Sequence, residues 1–284
     1  MNSTLHQKAM LVKLSISQWS ARKYDKDATK LVATQFNTDT RVGRYNKALV
    51  PKEATDPTAK IASEARLYHY KNTLPWGDDN FRLLPAANYM DYSQKMREFK
   101  SEFSSAASDF ESKFPQYIQD AQSRLNGMFN PADYPPASEI GSFYSMEVTV
   151  LPLPTSEDFR VTMQESEVAR IREDIEKHNK EAQEAAMQDL WKRLYVAVEN
   201  MAERLSNKDN IFRDSLVGNI SELCGLLPKM NITDDPELER MRREIEDKLC
   251  GYEPITLRKD MAQRTQAAQD AKAIMSNMVG YMVN

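Results

Sequence analysis

Residues 165–206 read ESEVARIREDIEKHNKEAQEAAMQDLWKRLYVAVENMAERLS, and this stretch decides the fold. About forty residues pass without Pro or Gly, in a run dense in Glu, Lys, Gln, Ala and Arg. Such side chains lose little freedom in a helix, so propensity alone makes the segment helical. Its apolar residues fall at Val168, Ile171, Ile175, Ala182, Ala185, Leu190, Leu194, Val198, Met201 and Leu205. Steps of three and four, with a slip near Met187, set them in one stripe on one face. At 1.5 Å per residue the helix runs roughly 60 Å, longer than a small domain is wide. It needs a partner along its length, from the same chain or from a second copy.

After this helix, 211–227 and 237–249 read as two shorter helices. Asp234-Asp235-Pro236 caps the second and Gly251 ends it. A final helix covers 255–275, followed by the short apolar tail SNMVGYMVN. Before the long helix, 146–151 alternates as a strand, 151–154 is extended, and 159–162 pairs back as a hairpin. Their prolines place these strands at a sheet edge. A second long helix covers 87–113; Pro115 breaks or kinks it, and a further helix ends at Gly127. Residues 81–84 form a short strand.

At the N-terminal end, 11–19 alternates, with Val12, Leu14 and Ile16 opposite Lys13, Ser15 and Ser17. That pattern predicts a strand with one wet face. A short helix follows, capped by Asp27 and ending at Phe36, and 37–50 is a loop hinged at Gly43. Asp56-Pro57 starts a helix that runs toward Lys71 and stops at Pro75-Trp76-Gly77.

The chain is therefore expected to be α+β and mainly α-helical, with a small antiparallel sheet packed with long helices in a bundle or coiled coil. In linear order it has a basic part (1–76), a helix and hairpin part completing the sheet (77–164), and the long helix with the C-terminal helices (165–284). These interleave as one or two domains. The length of the central helix and the apolar tail predict a homo-oligomer.

Composition excludes much chemistry. At 41% apolar and 28% charged, with no run of eighteen apolar residues, no membrane span is expected. The start, MNSTLHQKAMLVKL, lacks the apolar core of a signal peptide. Cys224 and Cys250, without a CxxC, read as buried thiols of a reducing cytoplasm. Eight glycines in no phosphate-loop, Rossmann or nucleophile-elbow spacing leave no cofactor cradle. His6, His69 and His178 are far apart, with His178 near the helix seam as a core or partner-contacting residue. The acid pairs at 78–79 and 234–235 read as a turn and a cap. No metal, no cofactor and no catalytic activity are expected; a metal-dependent nuclease would need a clustered carboxylate–histidine set.

The net charge of −4 hides an asymmetry: 1–76 holds thirteen Lys or Arg against six Asp or Glu, whereas the remainder holds twenty-five against thirty-six. In the basic quarter, Lys13, Arg22, Lys23, Lys26, Lys30, Arg41, Arg44, Lys47 and Lys52 are interleaved with Trp19, Tyr24, Phe36 and Tyr45. Single-stranded nucleic acid needs this combination, cations for phosphates and flat rings for exposed bases. No recognition helix rich in Arg and Asn suggests duplex reading. The candidate strand-binding set is Lys13, Trp19, Arg22, Lys23, Lys26, Lys30, Arg41, Arg44, Tyr45, Lys47 and Lys52. The competing reading of the same charges is an ordinary solvated face.

The segment Phe129-Asn130-Pro131-Ala132-Asp133-Tyr134-Pro135, with Phe143, Leu151-Pro152-Leu153-Pro154 and Asp158-Phe159-Arg160-Val161, carries a resemblance. On this punctuation, and over nearly its whole length, the chain resembles the single-stranded-DNA-binding RNA polymerase cofactors (Drc) of schitovirus-type bacteriophages. The resemblance implies a DNA-binding fold unlike the usual small barrels, a phage RNA polymerase as partner, and the host cell cytoplasm as location. It transfers no contact residues. The expected function is a non-enzymatic protein that holds single-stranded DNA at melted promoters; the alternative is a helical adaptor or assembly protein without a DNA role.

Overall fold

The computed structural model describes residues 5–77, 80–158 and 164–282. In chain order, helix α1 (Leu5–Lys8) leads into strand β1 (Ala9–Ser17), then β2 (Arg22–Tyr24), α2 (Lys26–Gln35), β3 (Asn46–Ala48), α3 (Lys52–Lys71), β4 (Leu74–Pro75) and β5 (Arg82–Pro85). Next come α4 (Tyr89–Leu125), β6 (Ser145–Leu151), α5 (Glu165–Ser206), α6 (Ser215–Met230), α7 (Pro236–Ile245), α8 (Pro254–Lys259) and α9 (Met261–Met282). The protein is α+β and mainly α-helical, with a small antiparallel sheet packed against long helices. The sheet runs β4-β5-β1-β6, and a separate ribbon joins β2 to β3. β6, the strand followed by Pro152 and Pro154, is at the sheet edge. The expected hairpin at 159–162 and the acid pair at 78–79 lie outside the described residues.

The chain divides into two compact units, each discontinuous in sequence. Unit 1 holds 1–13, 70–92 and 150–284, and unit 2 holds 14–69 and 93–149.

In unit 1 the long helix has the bounds its sequence predicts, Glu165–Ser206. Ala182, Leu190, Leu194, Val198, Met201 and Leu205 are buried, but Ala185 is exposed and Ala186 takes its place. With Ala186 in the stripe, the buried positions 182, 186, 190, 194 and 198 are evenly spaced by four, and the expected slip near Met187 is absent. The partner that this helix needs comes from its own chain, since α9 lies along it and α6 and α7 complete the core. Residues 276–282 of the apolar tail form the last turns of α9, where Met278 is buried and Tyr281 stacks on Trp191 at 4.5 Å and 2°. His178 is exposed, and its ring stands edge-on to Trp76 at 4.7 Å.

The predicted helix 255–275 is two helices. The Asp260 carboxylate accepts from Ala262 N–H at 2.9 Å and Gln263 N–H at 3.2 Å, an N-cap that starts α9 anew. Arg264, buried one turn on, donates to the carbonyls of Arg204, Leu205, Asn207 and Asn210. It closes the C-terminal end of α5, where orphan carbonyls favour a cation. In the sheet, β5 pairs with β1 from Ala9↔Pro85 to Val12↔Arg82.

Unit 2 corrects the reading of two prolines. α4 is one helix of 37 residues running through Pro115. Phe110, Phe114 and Ala121 bury one face on both sides of that proline, and this burial holds the helix across the missing bond. α3 starts at Lys52 instead of Pro57, which stands in its second turn. Asn126, with φ 46°, takes the left-handed turn after α4 that the sequence assigns to Gly127.

Leu194 is fully buried in unit 1. Leu194→Asp places an unpaired carboxylate in that core and is expected to cost several kcal/mol. A urea unfolding curve checks this; a wild-type midpoint would show that α5 does not anchor the unit.

Candidate nucleic-acid interface

Residues 14–69 of the basic quarter belong to unit 2 and fold around a tight turn into α2. Asp25, directly after β2, caps that helix: its carboxylate accepts from Ala28 N–H at 2.9 Å, and Asp27, the expected cap, is exposed in the first turn. The Thr29 hydroxyl donates to the Asp25 carbonyl at 2.7 Å and accepts from Tyr45 N–H at 3.0 Å. Asp25 N–H donates to the Tyr45 carbonyl at 2.9 Å. These bonds draw the far end of the 37–50 segment onto the start of α2. That segment is not all loop, because Asn46–Ala48 forms β3. Its register is antiparallel, with Arg22↔Ala48, Lys23↔Lys47 and Tyr24↔Asn46.

Lys47 turns inward and leaves the candidate set. It is 7% exposed, and its amine lies 3.2 Å from Asp25 and 2.8 Å from Asp133 while donating to the Met128 carbonyl at 2.8 Å. Asp133 and then Asp25 raise its pKa above the ordinary lysine value. The Ala28 N–H bond, seconded by Lys47, holds Asp25 below the usual carboxylate range. The signs give a broad pH window. Asp25 stabilises the fold above the ordinary aspartate pKa and loses that effect as pH falls through its lowered value. Lys47 stabilises below the ordinary lysine pKa and loses its effect as pH rises through its raised value. The cluster is intact at neutral pH.

Trp19 also leaves the set as a stacking platform. Its indole meets Phe114 edge-on at 5.3 Å and lies 6.2 Å from Phe110 and 6.5 Å from Tyr134. It covers the aromatic core of unit 2. Lys13 belongs to unit 1, its ammonium 5.6 Å over the Phe81 ring. Arg41 is exposed but its guanidinium is engaged by Asp39 at 2.6 Å, and Lys52 pairs along α3 with Asp56 at 3.4 Å.

Arg22, Lys23, Lys26, Lys30 and Arg44 are exposed and, among the described residues, none has a carboxylate within ion-pair distance. They come from β2, the first half of α2 and the segment before β3. Tyr45 is 44% exposed beside them, and Tyr24, 40% exposed, carries the Arg44 guanidinium 5.8 Å over its ring. The sequence-based set passed over Tyr24 and Phe36. Phe36 is 76% exposed at the end of α2, and its signal was the same interleaving of rings and cations.

No family model, no curated protein and no solved structure matches the chain. Among the described residues no group of three His, Cys, Asp or Glu side chains is placed to hold a metal ion, and no helix is long and apolar enough to cross a membrane.

Lys47→Ala would leave Asp25 and Asp133 without their shared cation. Breaking a buried pair from one side typically costs about 3–5 kcal/mol, and the variant is expected to unfold at correspondingly lower urea. Unchanged stability would return Lys47 to the surface set. Trp19→Ala is likewise expected to lower the unfolding midpoint; strand affinity lost at full stability would restore its stacking role.

Proposed function

We propose that this protein binds single-stranded DNA without catalysing a reaction, and that it serves a phage RNA polymerase as cofactor at melted promoters. The observation that carries the reading is the group of five exposed, carboxylate-free cations beside the open rings of Tyr24, Phe36 and Tyr45. Phosphates need the first and unstacked bases the second. Elsewhere, many cations are already neutralised. Lys8 pairs with Asp234, Lys71 with Glu222, Lys229 with Asp91 and Arg258 with Asp214. Surface pairs of this kind suit a solvated or protein-facing surface, which is the adaptor reading. They do not suit a polyanion, whose phosphates would have to displace the carboxylates.

The mechanism is thermodynamic. A protein that holds the open strand and not the duplex shifts promoter melting by the difference between its two affinities. The acidic balance of the remaining three quarters discourages general coating of duplex, yet at physiological salt it is screened beyond about 10 Å from the basic face. The polymerase as partner rests on the resemblance.

A gel shift with one oligonucleotide, as single strand and as duplex, tests the DNA role. Single-strand affinity is expected to exceed duplex affinity and to fall with log salt at about −0.7 per contacted phosphate. Replacing Arg22, Lys23, Lys26 and Arg44 together with Glu should abolish binding with an unchanged circular dichroism spectrum. A flat salt response, or full binding by that variant, would refute the assignment of the basic face. Equal affinity for duplex would remove the strand-capture mechanism.

A further inference from the structure

At the end of α2, Phe36 N–H closes the helix on the Val32 carbonyl, and Asn37 follows with φ 48°, the left-handed conformation that ends many helices. Thr38 N–H then reaches back to the Ala33 carbonyl at 2.9 Å. This reversal sends the chain back along the helix, and the Tyr45 N–H bond to Thr29 fixes its return. Between helix and returning chain lies an open hollow of ≈ 510 Å³, within the size range of small-ligand sites. Thr29, Val32, Ala33 and Phe36 line one side at helical steps, and Val42, Arg44 and Tyr45 contribute from the returning segment.

Three observations say what fits it. The lining is apolar and aromatic, yet Phe36 and Val42 are 76% and 74% exposed, so flat or aliphatic surface waits there in water. Its one carboxylate, Asp39, is engaged by Arg41. The free charges around it are positive: Arg44 lines the hollow, and at 3.6 residues per turn Lys26 and Lys30 flank the Thr29–Phe36 stripe while Asp27 points away. A basic peptide would find no free carboxylate, and a neutral ligand would leave the cations unused. A flat ring carrying a phosphate satisfies both.

We infer that this hollow receives one unstacked base of a bound single strand, stacked on Phe36 and Tyr45, while Lys26, Lys30 and Arg44 hold the adjoining phosphates. The inference rests on the single-strand reading above. It adds a fixed seat for a base to what would otherwise be a charged face. The exposed lining is mostly apolar and aromatic, so stacking, which every base can supply, sets the affinity.

The test compares a thymidine homopolymer with an abasic strand of the same length and phosphate count, against the full chain and Phe36→Ala. Phe36 is largely in water, so its removal leaves the fold intact, with circular dichroism as the check. Phe36→Ala is expected to weaken binding of the base-bearing strand about tenfold and to leave the abasic strand and the salt slope unchanged. Photocrosslinking of a 5-iododeoxyuridine strand to the wild-type chain should give adducts at Phe36 or Tyr45. Equal loss on both strands, no loss on either, or adducts confined to other segments would overturn the base seat while single-strand binding stands. Failure of the wild-type chain to bind either strand would overturn the single-strand reading, and the base seat with it.

Discussion

The amine of Lys47 lies between the carboxylates of Asp25 and Asp133, with the Met128 carbonyl as a further acceptor. Each partner belongs to a different piece of unit 2. Asp25 is the cap of α2, Lys47 is the middle of β3, and Asp133 stands in the proline-punctuated stretch after α4. An amine with so little exposure is tolerated only because opposite charges and a carbonyl replace its water. Satisfying it therefore fixes three segments at once. Nearby, the Tyr134 hydroxyl donates to the Leu49 carbonyl at 2.8 Å, a second tie between the same stretch and the strand. The exposed cations and rings are displayed from a base that is itself held by charge.

This arrangement explains a feature of the charge pattern. The basic quarter contains cations of two kinds that sequence cannot separate. Lys47 and Arg41 are neutralised by aspartates from the same unit, and Lys52 by its own helix. Lys8 and Lys71 pair with Asp234 and Glu222, whereas Arg22, Lys23, Lys26, Lys30 and Arg44 are left without such partners among the described residues. A count of thirteen against six describes both kinds together; function depends on which of them stays unpaired.

What could be read from the sequence follows from how local each signal is. The bounds of α5 were legible because propensity and periodicity act within the segment, and so was the α+β class with its small antiparallel sheet. Signals that depend on distant contacts were not. Pro115 reads as a break until the aromatic core that spans it is known, and β3 is invisible without the ribbon partner that straightens it. Alternation puts Trp19 on the face of Lys13, Ser15 and Ser17, as either a stacking platform or the cover of a second small core, and only Phe110, Phe114 and Tyr134, far away in sequence, decide for the cover. The phosphate-binding residue types were legible as a composition. Their exposure, and the reversal at Asn37 that seats Phe36 beside Tyr45, came from tertiary contacts.

The discontinuity of the two units has a consequence for the order in which the protein comes into being. Unit 2 is made of 14–69 and 93–149, whereas unit 1 needs everything from 150 onward. During synthesis the last residue of unit 2 is joined before the first residue of α5. The nascent chain then carries the whole of the basic unit but, of unit 1, only its two short early pieces, 1–13 and 70–92. Those pieces include Ala9, Leu11, Leu74 and Leu83, apolar residues whose covering neighbours on α5, α6 and α9 are still to be translated. The ribosome thus finishes the charged module first and leaves its sister waiting, with greasy edges bare, for the longest helix in the molecule.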